Sequence, residues 1–199
     1  MVPGGGSDIL DGGRGLDTVH YDGTRLDYEI WSAADGQWVD DKRGGVQGGR
    51  DALFNVERLV FADGALALDI GDAGVAAQAY RLYRAAFDRT PDDAGLGLWI
   101  NRIDAGVPLV AVADAFIRSA EFRDLYGAAP SNTEMLHALY MNVLDREPDP
   151  DGFAFWLDVP DNERAPFSEV LLGFSNSGEN IGATVHLSAQ GIPYQPYIG

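Results

Sequence analysis

The chain has 199 residues, 31 of them acidic and 14 basic, for a net charge of −17. A surface that negative repels phosphate backbones and anionic headgroups, which makes nucleic acids and membrane surfaces poor partners. Cysteine is absent, so disulfides, thiolate metal sites and cysteine nucleophiles are removed together.

No apolar run nears the roughly twenty residues of a membrane span, and Met1-Val2-Pro3-Gly4 has neither the basic nor the apolar region of a signal peptide. Either cytosolic residence or export by another route is expected. Residues 1–72 are rich in Gly and Asp, with short β-prone stretches at Val19/Tyr21, Tyr28/Ile30, Trp38 and Val60-Phe61. Asp22-Gly23, Asp35-Gly36 and Asp63-Gly64 sit where tight turns need positive φ. A small β structure is predicted, with Asp40 to Arg50 as a mobile loop of no assigned function.

Residues 73–181 change character. Val75, Ala79, Leu82, Tyr83, Ala86 and Phe87 form one helical stripe, and Leu136, Leu139, Tyr140, Val143 and Leu144 form another. Pro108 opens a third helical segment, and Ser131 with Glu134 makes a capping-box pattern. Five or six helices are expected, then a tail over 182–199 that packs as an extended strap or frays.

Residues 82–100 and 139–157 align without a gap, pairing Tyr83 with Tyr140, Arg89 with Arg146, Asp92 with Asp149, Gly95 with Gly152 and Trp99 with Trp156. This is a tandem duplication, read as two three-helix units. In each copy an Arg-x-Pro-Asp turn stops one helix and opens the next, and its Asp is placed to cap free N–H groups. The arginine either folds back on the preceding helix's carbonyls or pairs with an Asp. The shared set therefore reads as architecture.

The pattern Tyr-x-x-x-(Phe/Leu)-x-Arg-x-Pro-Asp-x-x-Gly-x-x-x-Trp, followed by Phe-x-x-Ser-x-Glu, resembles a helical family known as domain of unknown function 4214. The resemblance implies a secreted bacterial protein, supplies no catalytic residues, and extends distantly to helical domains that hold surface-layer proteins to cell-surface glycans. Asn180 stands where the first copy has Phe122, so the last helix of the second copy is expected to be shorter.

The opening residues 12–20, with Gly12, Gly13, Gly15 and Asp17, and residues 3–11, with Gly4, Gly6 and Asp8, are similar to the glycine-aspartate nonapeptide of the repeats-in-toxin family. Pro3 replaces the leading glycine of the earlier copy, and Leu26 falls where a third Asp would come, so the roll is expected to end here. That resemblance implies calcium held by Gly13, Gly15 and Asp17, and more weakly by Gly4, Gly6 and Asp8. Consecutive loops of the family lie on opposite edges, so Asp8 and Asp17 would serve different, incomplete sites.

Glu147, Asp149, Asp151 and Asp158, with Gly152, match EF-hand spacing, although prolines stand at loop positions 2 and 4 and the last ligand is Asp. Calcium is a candidate there against a capped helix-to-helix turn. His20, His137 and His186 are dispersed and give zinc no support. Ser175 and Ser177 miss the Gly-x-Ser-x-Gly elbow and suggest a helix end. Trp31, Trp38, Tyr194 and Tyr197 would make either a sugar-stacking platform or core cover.

The fold class expected is α+β: a β-roll remnant over 1–72, a duplicated helical domain over 73–181 and a tail over 182–199. The function expected is non-catalytic, as the C-terminal part of a larger, calcium-dependent, secreted or cell-surface bacterial protein. Its partners would be the type I secretion apparatus and a surface glycan or protein. The alternative is an accessory domain of a hydrolase whose catalytic part lies upstream.

Overall fold

The computed structural model describes residues 1–33, 36–45, 48–162, 164–188 and 190–197. The β elements are β1 (Ile9–Asp11), β2 (Thr18–His20), β3 (Tyr28–Ala33), β4 (Gly36–Asp41), β5 (Gly49–Phe54), β6 (Arg58–Phe61) and β7 (Gly64–Ala67). The helices are α1 (Val75–Phe87), α2 (Asp93–Asp104), α3 (Leu109–Ile117), α4 (Ala120–Tyr126), α5 (Asn132–Leu144), α6 (Pro150–Asp161), α7 (Phe167–Ser175) and α8 (Gly178–Ser188), with β8 (Ile192–Tyr194) after them. The class is α+β.

Two four-stranded sheets run in the orders β1-β5-β4-β3 and β2-β6-β7-β8. β1 and β2 therefore belong to different sheets, and each lies parallel to a later strand, with Ile9 opposite Ala52 and Val19 opposite Leu59. Residues 9–20 and 52–60 form two stacked coils, and the antiparallel β3–β4 hairpin is inserted between them. Alternation along the strands sends Tyr28, Ile30, Val39 and Leu53 inward against Val19, Leu59, Phe61 and Leu66.

The second sheet is the middle layer. Its other face presents Ala65 and Ala67 to Ala76, Ala77 and Ala79 of α1 and to Leu96 and Ile100 of α2. Side chains this small let helix and sheet approach closely. β8 pairs with β7, Ile192 opposite Ala67, and puts Ile192 and Tyr194 into the same core. Pro193 is tolerated because β8 is an edge strand. Arg58, 2% exposed, joins Asp69 and Asp104 across this boundary.

The first half of the helical module, α1–α4, recurs as α5–α8, so each unit has four helices and the expected three-helix unit is corrected. The extra helix escapes periodicity because only Arg118 and Ser119 separate α3 from α4. There the Ser119 hydroxyl caps the next helix by accepting from the Phe122 N–H, 3.1 Å. The helix α8 is longer than α4, not shorter. Gly127, at φ +95°, ends α4, whereas the corresponding residue in α8 is Val185. Buried Asn180 donates to the Ser175 carbonyl at 2.8 Å and so replaces Phe122 without breaking the helix.

Two further expectations change. β4 extends to Asp41 and β5 starts at Gly49, so the ends of the expected loop are strands. Between them Arg43 is anchored by Asp41 at 2.6 Å and Asp22 at 2.7 Å. Residues 182–188 are helical, and only the later part of the tail is a strap. Asp35 of the expected Asp35-Gly36 turn lies outside the described residues.

Candidate functional site

Gly6, Gly13 and Gly15 carry φ of +100°, +81° and +114°, a region that glycine enters at little cost, and they shape the turns before β1 and β2. Asp8 leads into β1, and its backbone N–H donates to Asp51 Oδ1 at 3.0 Å, while the Tyr21 hydroxyl donates to Asp51 Oδ2 at 3.0 Å. Asp51 is 6% exposed, and burial raises its carboxyl above the usual carboxylate range. Asp8 Oδ2 is buried without a hydrogen-bond partner. Around this corner lies a cleft of about 320 Å³ lined in part by Gly4, Gly6, Tyr21, Asp41, Arg43 and Asp51.

At the next turn the Asp17 N–H donates to Glu57 Oε2 at 2.8 Å, and the Asp17 carbonyl accepts from the N–H groups of Glu57 and Arg58. The structure thus separates Asp8 from Asp17 and gives each an acid from the neighbouring coil. Sequence reasoning missed both Asp51 and Glu57. Gly48-Gly49-Arg50-Asp51 carries a signal for the first, since it is the glycine-aspartate pattern shortened by two residues. Glu57 has no such signal.

Calcium takes six to eight oxygens, several of them carboxylate. An orphaned buried oxygen on Asp8, a second carboxylate beside it and open glycine turns fit part of such a shell. Among the described residues no group of three or more acids or histidines could hold a metal ion. Any further ligands would therefore come from backbone carbonyls of the turns or from water.

The EF-hand spacing does not produce a loop. Asp149 is the N-cap of α6, accepting from the Gly152 N–H at 2.7 Å, and Asp151 and Asp158 are residues of that helix two turns apart. Glu147 instead meets His137 at 3.3 Å, and Asp158 meets Arg164 at 2.5 Å. Glu147, Asp149, Asp151 and Asp158 do not converge, which corrects the calcium candidate there. Ser175 ends α7 and Ser177 precedes α8, as helix-end residues.

The duplicated residues build one polar corner twice. Asp88 and Asp145 end α1 and α5 in the left-handed conformation, φ 48° and 51°, and turn the following arginine back. Arg89 lies over the Tyr83 ring at 5.0 Å and donates to the Tyr83 hydroxyl at 2.8 Å and to Glu121 at 2.6 Å. Arg146 lies over Tyr140 at 5.1 Å and reaches Glu179 at 3.0 Å and Asp149 at 3.4 Å. The arginine's main partner is the glutamate before the fourth helix's second turn, not a helix carbonyl.

A model of a family described as a domain of unknown function (DUF4214) matches residues 75–124 and again residues 113–184, more than half of the chain. The chain belongs to the DUF4214 family. No curated protein matches it. The first DUF4214 match runs from α1 into α4, the second starts within α3 and runs through α5–α7 into α8, and the signature residues have structural explanations. Gly95 and Gly152 are glycine because an added Cβ would stand 3.0 Å and 2.8 Å from the capping carboxylates of Asp92 and Asp149. Trp99 packs edge-on against Phe116 at 4.9 Å, and Trp156 lies tilted against Phe174 at 5.4 Å. In the second DUF4214 unit Gly173 makes room for Trp156, whose ring would lie 2.6 Å from a Cβ there.

Proposed function

We propose that this chain is a non-catalytic module of a calcium-dependent bacterial protein that is secreted or held at the cell surface. It would serve folding and export through a type I secretion apparatus and attachment to a surface glycan or protein. The observation that carries the reading is that Asp51 accepts from the backbone N–H of Asp8 on the adjacent coil, behind glycine turns, with burial and the nearby Asp8 charge both pushing the Asp51 carboxyl up. Two carboxylates crowded in a partly buried corner weaken the coil unless a cation offsets them. Calcium, when bound, supplies that positive charge, and its binding free energy becomes folding free energy. In a calcium-poor cytosol the coils would stay loose, and outside they would set. Engagement of the duplicated Arg, Tyr, Glu and Asp residues with one another supports a scaffold rather than a reaction site.

The test is thermal melting and bound-metal analysis in excess calcium chloride, excess magnesium chloride and EDTA. A higher melting temperature and bound ion in calcium alone are expected. Identical melting in all three with no bound ion retires the proposal.

A further inference from the structure

Among the described residues, none of the three hydrophobic cores uses the outer face of the first sheet. Its inner face, through Tyr28, Ile30, Val39 and Leu53, fills the sandwich. The pleat sends Trp31 and Trp38 the other way, and neither indole belongs to a core cluster. The strand registers set Ile9, Ala52, Trp38 and Trp31 in one row across the sheet. The two indoles are nearly parallel, 11° apart with centroids separated by 6.5 Å, and partly exposed. Ile9 at the end of the row is 80% exposed.

The neighbouring row is charged. Arg50, Asp40 and Glu29 stand side by side on β5, β4 and β3. Arg50 pairs with Asp40 at 3.2 Å and lies 5.2 Å from the Trp31 ring centre, holding that ring from one side. Flat π-surfaces beside planar carboxylate and guanidinium groups match a pyranose ring, with its C–H face and its rim of hydroxyls. The charge balance narrows the class. Asp40 and Glu29 outnumber Arg50 at the rim, and a chain of net charge −17 repels a sulfated or uronic polymer.

We propose that the outer face of the β1-β5-β4-β3 sheet is a glycan-binding platform, in which Trp31 and Trp38 stack on a neutral polysaccharide and Arg50, Asp40 and Glu29 bind its hydroxyls. It rests on the proposed function only for the idea of surface attachment and requires no calcium at the platform.

The experiment is affinity electrophoresis and calorimetry of the full chain against soluble mannan, laminarin, galactomannan and, as the anionic comparison, dextran sulfate. Each is run in calcium and in EDTA. Retardation by at least one neutral polysaccharide is expected, with an affinity loss on the order of tenfold or more in Trp31→Ala and in Trp38→Ala. Phe155→Ala, at a 64% exposed position on α6, leaves binding unchanged. Protection of Trp31 and Trp38 in the unaltered chain from N-bromosuccinimide by the retarding polysaccharide gives a readout that needs no variant. Binding to none of the neutral polymers, a preference for dextran sulfate, or binding indifferent to both substitutions overturns the platform. So does self-association that Trp31→Ala abolishes, because the face would then be an interface between copies. Calcium-dependent melting is measured separately, so platform and calcium reading fail independently.

Discussion

Arg58 on β6 reaches Asp104 in the last turn of α2 at 3.1 Å, and it does so with only 2% of its surface exposed. The same guanidinium holds Asp69, whose other carboxylate oxygen accepts from the Ala76 N–H at the start of α1. One arginine thus pairs with two acids where sheet and helices meet. Burial pushes the Asp104 carboxyl up against the opposing pull of Arg58. Removing one partner of such a group strands the others. Arg58→Ala is expected to cost about 3–5 kcal/mol in urea unfolding. Arg58→Ala combined with Asp69→Asn and Asp104→Asn is expected to cost less than Arg58→Ala alone, and a larger cost would show that the triad adds net stability.

The strap carries a prediction with two signs. An added Cβ at Gly97 on α2 would stand 1.8 Å from the Gln195 carbonyl, whose residue also donates its N–H to Asp93. Gly97→Ala must push β8 off the helix and is expected to cost about 1–3 kcal/mol. At Gly182 on α8 an added Cβ meets nothing within 4 Å. Gly182→Ala is expected to gain about 0.5–1 kcal/mol from helix propensity alone. Thermal melting of the two variants checks both signs.

Much of the helical module is legible in the sequence because its signals are local. The stripe from Val75 to Phe87, the Asp92 cap and the Ser131–Glu134 box each depend on neighbours within a turn or two. The fourth helix of the first unit is not legible, since a two-residue break leaves the apolar period almost in phase, and in the second unit only the helix end at Ser175 and Ser177 marks the break. The coil partners Asp51 and Glu57 lie about forty residues from Asp8 and Asp17, and nothing local announces a parallel pairing at that distance. The Trp31–Trp38 pair is visible as residues, but which face it takes depends on register, and one residue of slip would reverse it.

The duplicated caps predict a pH dependence. The Gly95 N–H holds the Asp92 carboxyl below the usual carboxylate range, and the Tyr83 hydroxyl adds to that hold. A folded-state pKa below the unfolded one means that stability is present above roughly pH 4 and is lost as pH falls through the depressed value. Asp92→Ala is expected to cost about 1 kcal/mol near neutrality, and Asp92→Asn much less, since both Asp and Asn cap well. As pH drops below about 4 the gap between Asp92→Ala and the unaltered chain should narrow. A gap constant through the acid limb, measured by urea unfolding at a series of pH values, would remove the carboxylate from the explanation.

Asp51 offers the most direct probe of the opening coils. It receives hydrogen bonds from the Asp8 N–H and the Tyr21 hydroxyl, yet its carboxylate shares a buried corner with the unpartnered Asp8 Oδ2. Asp51→Asn keeps an amide oxygen for one donor, brings an N–H₂ group beside Asp8 and removes one of the two negative charges. In EDTA the variant is expected to melt at or above the unaltered chain, because a crowded carboxylate has gone. In calcium chloride the order should reverse, because a ligand has gone too. Asp51→Ala separates charge from packing: it loses both hydrogen bonds and should melt lower under either condition, by about 1–3 kcal/mol. An Asp51→Asn variant that is destabilised equally with and without calcium would place Asp51 among ordinary buried hydrogen-bond acceptors and detach it from any cation.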